Sequence, residues 1–215
     1  MDNFIPISEI KKAKDVLQGV AIKSPFNKIE SFSKRYNSNI YFKREDLQNV
    51  RSFKIRGAFN KISSLNQSQV INGIVCASAG NHAQGFAVAC SLLNYRGTVY
   101  MPKRSTKQKV EKVKEFGKKN IEIILYGENF TQAYEMALRD CKENNKTLIH
   151  PFDDIKVITG QATLFLEIIN QIDNELDYLF IPIGGGGLIS GAINVFKQLS
   201  PKTNIVGIEP KGAPS

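Results

Sequence analysis

The sequence has few of the features that identify secreted, membrane-bound or metal-dependent proteins. Its three cysteines lie at positions 76, 90 and 141, and an odd, sparse and irregular set disfavours a disulfide framework and favours a reducing compartment. No apolar run approaches the length of a membrane span, and the N-terminal stretch MDNFIPISEI lacks the regions of a secretory signal. Only two histidines occur, His82 and His150, so a metal cluster is not expected. These absences predict a cytoplasmic protein without a membrane anchor.

Basic residues exceed acidic ones, with 29 Lys and Arg against 20 Asp and Glu and a net charge of +9. Such an excess is compatible with a nucleic-acid partner or with an anionic small molecule. The basic residues are spread along the chain, however, and the densest run, residues 101–119, also contains Glu111 and Glu115. That run is typical of the solvated face of one helix. We therefore expect no nucleic-acid binding.

Short apolar runs alternate with helical patterns along the chain. The predicted strands are residues 39–43, 73–77, 97–101, 121–125, 147–150, 177–183 and 204–209. The predicted helices are residues 8–18, 56–65, 81–94, 106–116, 129–144, 159–172 and 188–199. This alternation predicts an α/β fold in which a parallel sheet is covered by helices on both faces.

One lysine has an unusual setting. In the stretch RSFKIRGAFN (51–60), Lys54 lies between Phe53 and Ile55, just before small residues that could form a turn. A surface lysine that extends along apolar neighbours into water is one explanation. A desolvated amine that acts as a nucleophile is the other.

A glycine run forms the strongest local signal. In LFIPIGGGGLISGAINVF (179–196), an apolar strand pattern is followed by four glycines and then by a helical pattern. Glycines at a helix start let the backbone approach an anion and direct its N–H groups towards it, which predicts a phosphate site more strongly than a flexible turn. The dinucleotide-binding and P-loop patterns both fail here. The phosphate of pyridoxal 5′-phosphate, a cofactor that also needs a lysine Schiff base, stays open.

A third stretch, CASAGNHAQGFAVAC (76–90), passes from a strand into a helix that opens at Asn81-His82. Small residues at a helix start can hold a carboxylate. Asn81 could equally be an ordinary helix cap, and His82 alone could be a metal ligand or a general base. The three stretches together supply an amine, a carboxylate site and a phosphate site, which is what an enzyme needs to bind pyridoxal phosphate and an amino acid.

The stretches KREDLQNVRSFKIRGAFNKI (43–62), SAGNHAQG (78–85) and GGGGLISG (184–191) resemble the biosynthetic threonine dehydratases. These are pyridoxal phosphate enzymes of fold type II, the tryptophan synthase β fold, and the resemblance extends over essentially the whole chain. It implies a three-layer α/β fold with two sub-domains, a large one of residues 1–51 and 152–215 and a small one of residues 52–151. The large sub-domain would be incomplete at Ser215, and no regulatory domain would be present.

The resemblance also implies roles for individual residues. Lys54 would form the Schiff base with pyridoxal phosphate, Phe53 would lie against its ring, and Asn81 would hydrogen-bond its 3′-oxygen. The phosphate would be held by Gly184, Gly185, Gly186, Gly187 and Leu188. The substrate carboxylate would be held by Ser78, Gly80, Asn81 and His82.

The implied reaction converts L-threonine to 2-oxobutanoate and ammonia by α,β-elimination, the first step of isoleucine biosynthesis, with serine as a poorer substrate. The released Lys54 amine would take the Cα proton, and the enzyme would be a homotetramer. A serine racemase or dehydratase of the same fold and an inactive cofactor-binding fragment stay open as alternatives. A β-replacement synthase of the cysteine-synthase type is disfavoured, because those enzymes tend to carry different residues around the lysine and the phosphate.

Three positions bear on these alternatives. Serine racemases carry a second catalytic base, a serine, where this chain has Ala79, so elimination is favoured over racemisation. Glu209 matches a cation ligand of the racemases, although we expect no metal. Ala162 stands in GQAT (160–163) where the family usually has glycine, and its methyl group would be harmless only in a helical conformation.

Overall fold

Helices and strands alternate along residues 4–212, the part of the chain that the computed structural model describes. The helices are α1 (Ile7–Val16), α2 (Glu30–Tyr36), α3 (Lys54–Ser63), α4 (Gln67–Val70), α5 (Asn81–Leu93), α6 (Lys107–Gly117), α7 (Phe130–Asn144), α8 (Ile155–Ile169) and α9 (Gly187–Leu199). The strands are β1 (Phe26–Lys28), β2 (Tyr41–Lys43), β3 (Ile74–Ala77), β4 (Gly97–Met101), β5 (Ile121–Leu125), β6 (Thr147–Leu148), β7 (Tyr178–Pro182) and β8 (Asn204–Ile208).

The main sheet is parallel and has the strand order β5-β4-β3-β6. Strands β7 and β8 form a separate parallel pair, and β1 and β2 form an antiparallel pair with α2 between them in the chain. Parallel neighbours require crossover connections, which the intervening helices supply. The loops that follow β3 and β7 therefore leave the carboxyl ends of parallel strands, where ligand sites form in α/β sheets.

Successive residues of β3 face opposite sides of the main sheet, as the pleat requires. Ile74 and Cys76 pack into a core with α3, α5 and α6, whereas Val75 and Ala77 pack against α7. The expected parallel sheet with helices on both faces is therefore present.

Glycines allow close helix crossings beside the lysine stretch. A Cβ at Gly160 of α8 would lie 2.5 Å from the carbonyl oxygen of Arg56 and 2.7 Å from Cα of Gly57 in α3. Gly191 of α9 meets α8 in the same way, since a Cβ there would lie 2.9 Å from the backbone nitrogen of Ala162. The helix that carries the sequence GQAT is thereby fixed against both of its neighbours.

The structure corrects several predicted boundaries. The short strand β1 and the short helices α2 and α4 were not predicted, because each is too short for a periodic signal. Helix α3 begins at Lys54, two residues before its predicted start, and Gly57 and Ala58, small residues that could have formed a turn, lie inside it. Helix α8 begins four residues before its predicted start, because the Asp154 side chain accepts hydrogen bonds from the backbone of Lys156 (2.8 Å) and Val157 (3.1 Å). The borders of the two sub-domains stay a prediction.

Candidate active site

Lys54 is the first residue of α3, and its side chain points into the protein interior. Its Nζ donates a hydrogen bond of 2.8 Å to the carbonyl oxygen of Pro151 and lies 5.4 Å from the centre of the Phe53 ring. Burial lowers the pKa of Lys54 to about 8, because removing water disfavours the charged form. The structure thus favours a desolvated amine over a surface lysine.

Helix α5 passes directly beside the backbone of this lysine. A Cβ at Gly85 would lie 3.1 Å from the carbonyl carbon and oxygen of Lys54 and 3.2 Å from the nitrogen of Ile55. Such a distance is tighter than ordinary van der Waals contact, so any larger residue at Gly85 would displace the start of α3. The glycine in AGNHAQG therefore has a packing role that its local sequence does not reveal.

Four charged side chains near Lys54 form a buried network. Arg56 donates to the carboxylate of Glu45 through Nε and Nη2, both at 2.8 Å, and to Glu167 through Nη1 at 2.7 Å. Lys43 donates to Glu167 Oε2 at 2.6 Å. Two cations and two carboxylates balance in charge, and charge-assisted bonds of this length are strong. The network joins the end of β2 and the turn that follows it to α3 and α8.

Neutral groups complete this buried network. The hydroxyl of Ser24 donates to Glu45 at 2.6 Å, and its backbone carbonyl accepts from Lys43 at 2.7 Å. Gln48 donates to Glu45 at 3.2 Å, and Arg56 also donates to the hydroxyl of Thr163 at 3.2 Å. Because these bonds satisfy the buried charges, the helix turn that carries Lys54 is held from several sides.

The four glycines after β7 divide into two pairs. A Cβ at Gly184 or Gly186 would have no heavy atom within 4 Å, and Gly186 has φ +81, which glycine adopts readily. A Cβ at Gly185 would overlap the Phe152 ring, and one at Gly187 would lie 2.9 Å from Phe152 Cβ. One pair leaves open space in front of the start of α9, and the other pair accommodates Phe152.

The start of α5 supplies the third part of the site. The hydroxyl of Ser78 accepts a 3.2 Å hydrogen bond from the Gly80 N–H, and Gly80 has open space where a side chain would lie. The Asn81 side chain is exposed, whereas His82 is buried. Nε2 of His82 lies 3.2 Å from the carbonyl oxygen of Ile149, so Nε2 must carry the proton and Nδ1 must be unprotonated.

His82 is therefore a neutral residue with an unused acceptor. Burial, followed by the nearby charge of Lys54, lowers the pKa of His82 to about 3. Within residues 4–212, Nδ1 of His82 has no hydrogen-bond partner. Since the side chain turns towards Ile149, His82 can reach a carboxylate in front of α5 only through its backbone N–H.

Residues 149–154, which we name the connecting segment, touch all three stretches. Ile149 accepts from His82 at the start of α5, and Pro151 accepts from Lys54 at the start of α3. Phe152 packs against Gly185 and Gly187. The structure therefore brings together the three predicted stretches, and the connecting segment, which the sequence patterns missed, lies at their junction.

The class of protein is defined by three features of the site. These are a half-buried amine at one helix start, a glycine-rich second helix start and a third helix start with open space beside it. They describe an α/β enzyme that holds an anionic cofactor beside a lysine. The model of the family described as pyridoxal-phosphate dependent enzyme matches residues 17–215. The chain belongs to this family.

Named relatives support the same conclusion. The chain is 48% identical to the biosynthetic L-threonine dehydratase of Halalkalibacterium halodurans over 98% of this chain and 51% of that protein. It thus spans about half the length of the curated relatives that it matches. Over 98% of this chain and 58% of the other, it is similar to the processed form of threonine deaminase isoform 2 from Solanum lycopersicum, with 41% identity and a TM-score of 0.88. Maize serine racemase shares 34% identity and a TM-score of 0.90, over 96% of this chain and 62% of that one.

These similarities confirm the predicted fold type II and pyridoxal 5′-phosphate as the cofactor of the family. The described residues fit this group. Gly184 and Gly186 leave the space that a phosphate needs in front of α9, and Lys54 offers an amine of lowered pKa. The helix start adds a partial positive charge for the phosphate.

The structure shows the surroundings of two positions noted in the sequence, Ala162 and Glu209. Ala162 lies inside α8, is fully buried and has no positive φ, so its extra methyl group causes no backbone strain. Glu209 is exposed just after β8. Within residues 4–212, no group of three His, Cys, Asp or Glu side chains could hold a metal ion.

Over the same range, no helix is long and apolar enough to cross a membrane.

Proposed function

We propose that this chain carries the cofactor-binding part of a threonine dehydratase. The reaction converts L-threonine to 2-oxobutanoate and ammonia, and the water lost with the β-hydroxyl balances the water consumed when the amine is released. The observation that carries this proposal is the convergence of Lys54, the start of α5 and the glycine run on the connecting segment. The named relatives supply the choice of threonine as substrate.

Lys54 is the residue that would bond the cofactor and then move the proton. Pyridoxal phosphate, when bound, supplies an electron sink for the bonds at Cα of an amino acid. With a pKa of about 8, the Lys54 amine is neutral in a useful fraction near neutral pH, so it can act as nucleophile and as base at Cα. Phe53, whose ring lies beside this amine, would limit water on one side of the cofactor ring.

The two open helix starts would orient the ligands. At α5, the hydroxyl of Ser78 and the backbone N–H groups of Gly80, Asn81 and His82 would hold the substrate carboxylate. The Asn81 side chain would contact the cofactor's 3′-oxygen. The neutral state of His82 leaves the Lys54 amine as the basic group in this part of the site. At α9, the backbone of residues 184–188 would hold the phosphate.

Racemisation is the second candidate, because maize serine racemase shares the fold at 34% identity. A racemase needs a base on each face of Cα. At the position where a racemase carries its serine base, this chain has Ala79, which is packed against the apolar core beside β3. A methyl group transfers no proton, so we favour elimination, with serine as a poorer substrate.

Pathway, assembly and location belong to the same proposal. The named relatives are biosynthetic enzymes, so we infer a role in the first step of isoleucine biosynthesis in the cytoplasm. We also infer a homotetramer. These 215 residues span about half of those relatives, and a fragment that binds the cofactor without turnover is the alternative that the experiment must separate.

The test is cofactor trapping followed by a turnover assay. The purified chain is mixed with pyridoxal phosphate, reduced with borohydride and mapped by mass spectrometry, with Lys54→Ala as the negative variant. Lys107→Ala is the matched control, since the Lys107 side chain is 89% exposed on α6. We expect an adduct at Lys54 in the parent and control chains, and 2-oxobutanoate from threonine in a chain extended to the relatives' length. An adduct without turnover in the extended chain would refute the dehydratase, and the absence of any Lys54 adduct would refute the site.

A further inference from the structure

His150 makes an unusual backbone contact inside the connecting segment. Its Nδ1 accepts a hydrogen bond from the Asp153 N–H at 2.7 Å, with a longer one from the Phe152 N–H at 3.4 Å. A side-chain acceptor that binds N–H groups two and three residues ahead fixes a turn in the way that Asn or Asp does in an Asx turn. His150 therefore closes the turn that contains Pro151.

That turn determines what the Lys54 amine meets. Pro151, inside the turn, presents its carbonyl oxygen to Lys54 Nζ at 2.8 Å. A carbonyl is a neutral acceptor, whereas Asp153, two residues further on, carries a carboxylate and is exposed. The turn thus places a neutral group, and not an anion, against the buried amine. An anion at that place would favour the charged form of Lys54 and raise its pKa.

Ring packing holds His150 in this orientation. The imidazole lies edge-on to Phe152 with 4.6 Å between ring centres and edge-on to Tyr134 at 5.9 Å. Phe152 in turn fills the space beside Gly185 and Gly187. These ring contacts therefore link the turn to the glycine run, so a change at His150 would affect both Lys54 and the glycines at the start of α9.

Nδ1 can accept only while the imidazole is neutral. The charged groups around His150 are Asp153, Asp154 and Lys54, and burial outweighs the two carboxylates and lowers the pKa of His150. At pH 7 and above the ring is therefore neutral, with its proton on Nε2. The acceptor is present over the whole range in which Lys54 titrates.

We propose that His150 is a positioning residue that acts through the 150–153 turn: its Nδ1 fixes the turn that directs the Pro151 carbonyl to Lys54, and so sets where that amine lies and how readily it takes up a proton. This inference deepens the proposed function, because it concerns the amine assigned to the chemistry there. It requires neither bound cofactor nor substrate.

The test measures the Lys54 amine directly in the cofactor-free 215-residue chain. Competitive acylation between pH 6 and 11, followed by peptide mapping, gives the titration midpoint of each lysine, and Lys107 serves as the exposed reference. His150→Leu keeps the bulk of the side chain but removes the acceptor. His150→Asn keeps an acceptor in nearly the same place and is the matched rescue variant.

We expect the Lys54 midpoint to fall by about one unit in His150→Leu, because the charged amine loses the carbonyl acceptor that stabilises it. In His150→Asn the midpoint should stay near the parent value. Equal midpoints in all three chains, or equal shifts in both variants, would overturn the proposal, because His150 would then only fill space. If His150→Leu fails to fold, amide exchange in the parent decides the question. Protection of the Asp153 N–H supports the turn, and exchange at the unprotected rate overturns it.

The outcome is separable from that of the proposed function. An extended chain that dehydrates threonine, together with an unchanged Lys54 midpoint in His150→Leu, would refute only the role of His150. A shifted midpoint with rescue by Asn, in a protein that never turns over threonine, would refute only the dehydratase.

Discussion

Gly184 and Gly185 are neighbours in the sequence, yet a methyl group added at each would meet different surroundings. In Gly185→Ala the new Cβ would overlap the Phe152 ring, whereas in Gly184→Ala it would have no heavy atom within 4 Å. Neither residue has a positive φ, so backbone strain does not differ between them. We expect Gly185→Ala to destabilise the cofactor-free chain and Gly184→Ala to leave its stability unchanged.

The magnitude follows from how Phe152 is held. Its ring packs edge-on against His150 at 4.6 Å, and its backbone contacts the Gly187 position, so the ring cannot swing away without disturbing the connecting segment. Forcing a methyl group into such a contact costs about 1–3 kcal/mol. An exposed substitution such as Gly184→Ala stays within about 0.5 kcal/mol. For a chain of this size each kcal/mol lowers the melting temperature by about 2–4 °C.

The assay is urea unfolding of both variants without cofactor, followed by titration with pyridoxal phosphate. If Gly184 faces the phosphate, Gly184→Ala should weaken cofactor binding at unchanged stability. Gly185→Ala should show its defect before any cofactor is added. Equal stability of the two variants without cofactor would refute the division of the glycines into a packing pair and an open pair.

Three further changes test other parts of the site. Arg56→Met should lower the free energy of unfolding by about 3–5 kcal/mol, because it leaves Glu45 and Glu167 buried without their shared cation. Urea unfolding measures this loss, and a loss under about 1 kcal/mol would contradict the stabilising role of the buried network. Lys54→Met should raise the free energy of unfolding at pH 7 by up to about 3 kcal/mol, because the pKa of Lys54 in the folded state, about 8, lies below the ordinary 10.5. Below pH 8 the folded state opposes protonation of the lysine, and this penalty, which the variant removes, should fade between pH 8 and 10.5. A gain in stability that persists above pH 10.5 would contradict the desolvation argument. Asp154→Ala should lower the free energy of unfolding by about 1–2 kcal/mol, because it removes the cap of α8 and the 2.7 Å ion pair between Asp154 and Lys61. Asp154→Asn should lose only the ion pair and keep the cap. Equal losses of stability in the two variants would assign the whole effect to the ion pair.

Local patterns were sufficient for the elements that are long and periodic. Strands β4 and β5 have their predicted bounds, because each is a mostly apolar five-residue stretch between turn residues. The start of α5 at Asn81 also matches the prediction. The start of α3 at Lys54 does not, because no side-chain cap precedes it and the preceding residues fold through tertiary contacts that a local pattern cannot contain.

The candidate site was predictable where chemistry requires a particular residue type at one place. A lysine between apolar residues and four consecutive glycines were such signals. The roles of Gly85, Gly160 and Phe152 were not, because each depends on a contact between segments far apart in the sequence. One signal for the buried network was present but unused: Glu167 stands in the apolar run LFLEII, where an isolated carboxylate must find a buried partner.

The protonation of the Lys54 amine depends on the buried network around it as well as on its own burial. A lysine in an apolar pocket loses its charge only if no carboxylate can reach it, and Glu45 and Glu167 are both close to α3. Their charges are already neutralised by Arg56 and Lys43 through bonds of 2.6–2.8 Å. The buried network thus holds α3 in place and also withholds the nearest buried carboxylates from Lys54. Replacing Arg56 by an uncharged residue should therefore raise the Lys54 midpoint as well as weaken the fold, and a folded variant with an unchanged midpoint would limit the buried network to a role in stability.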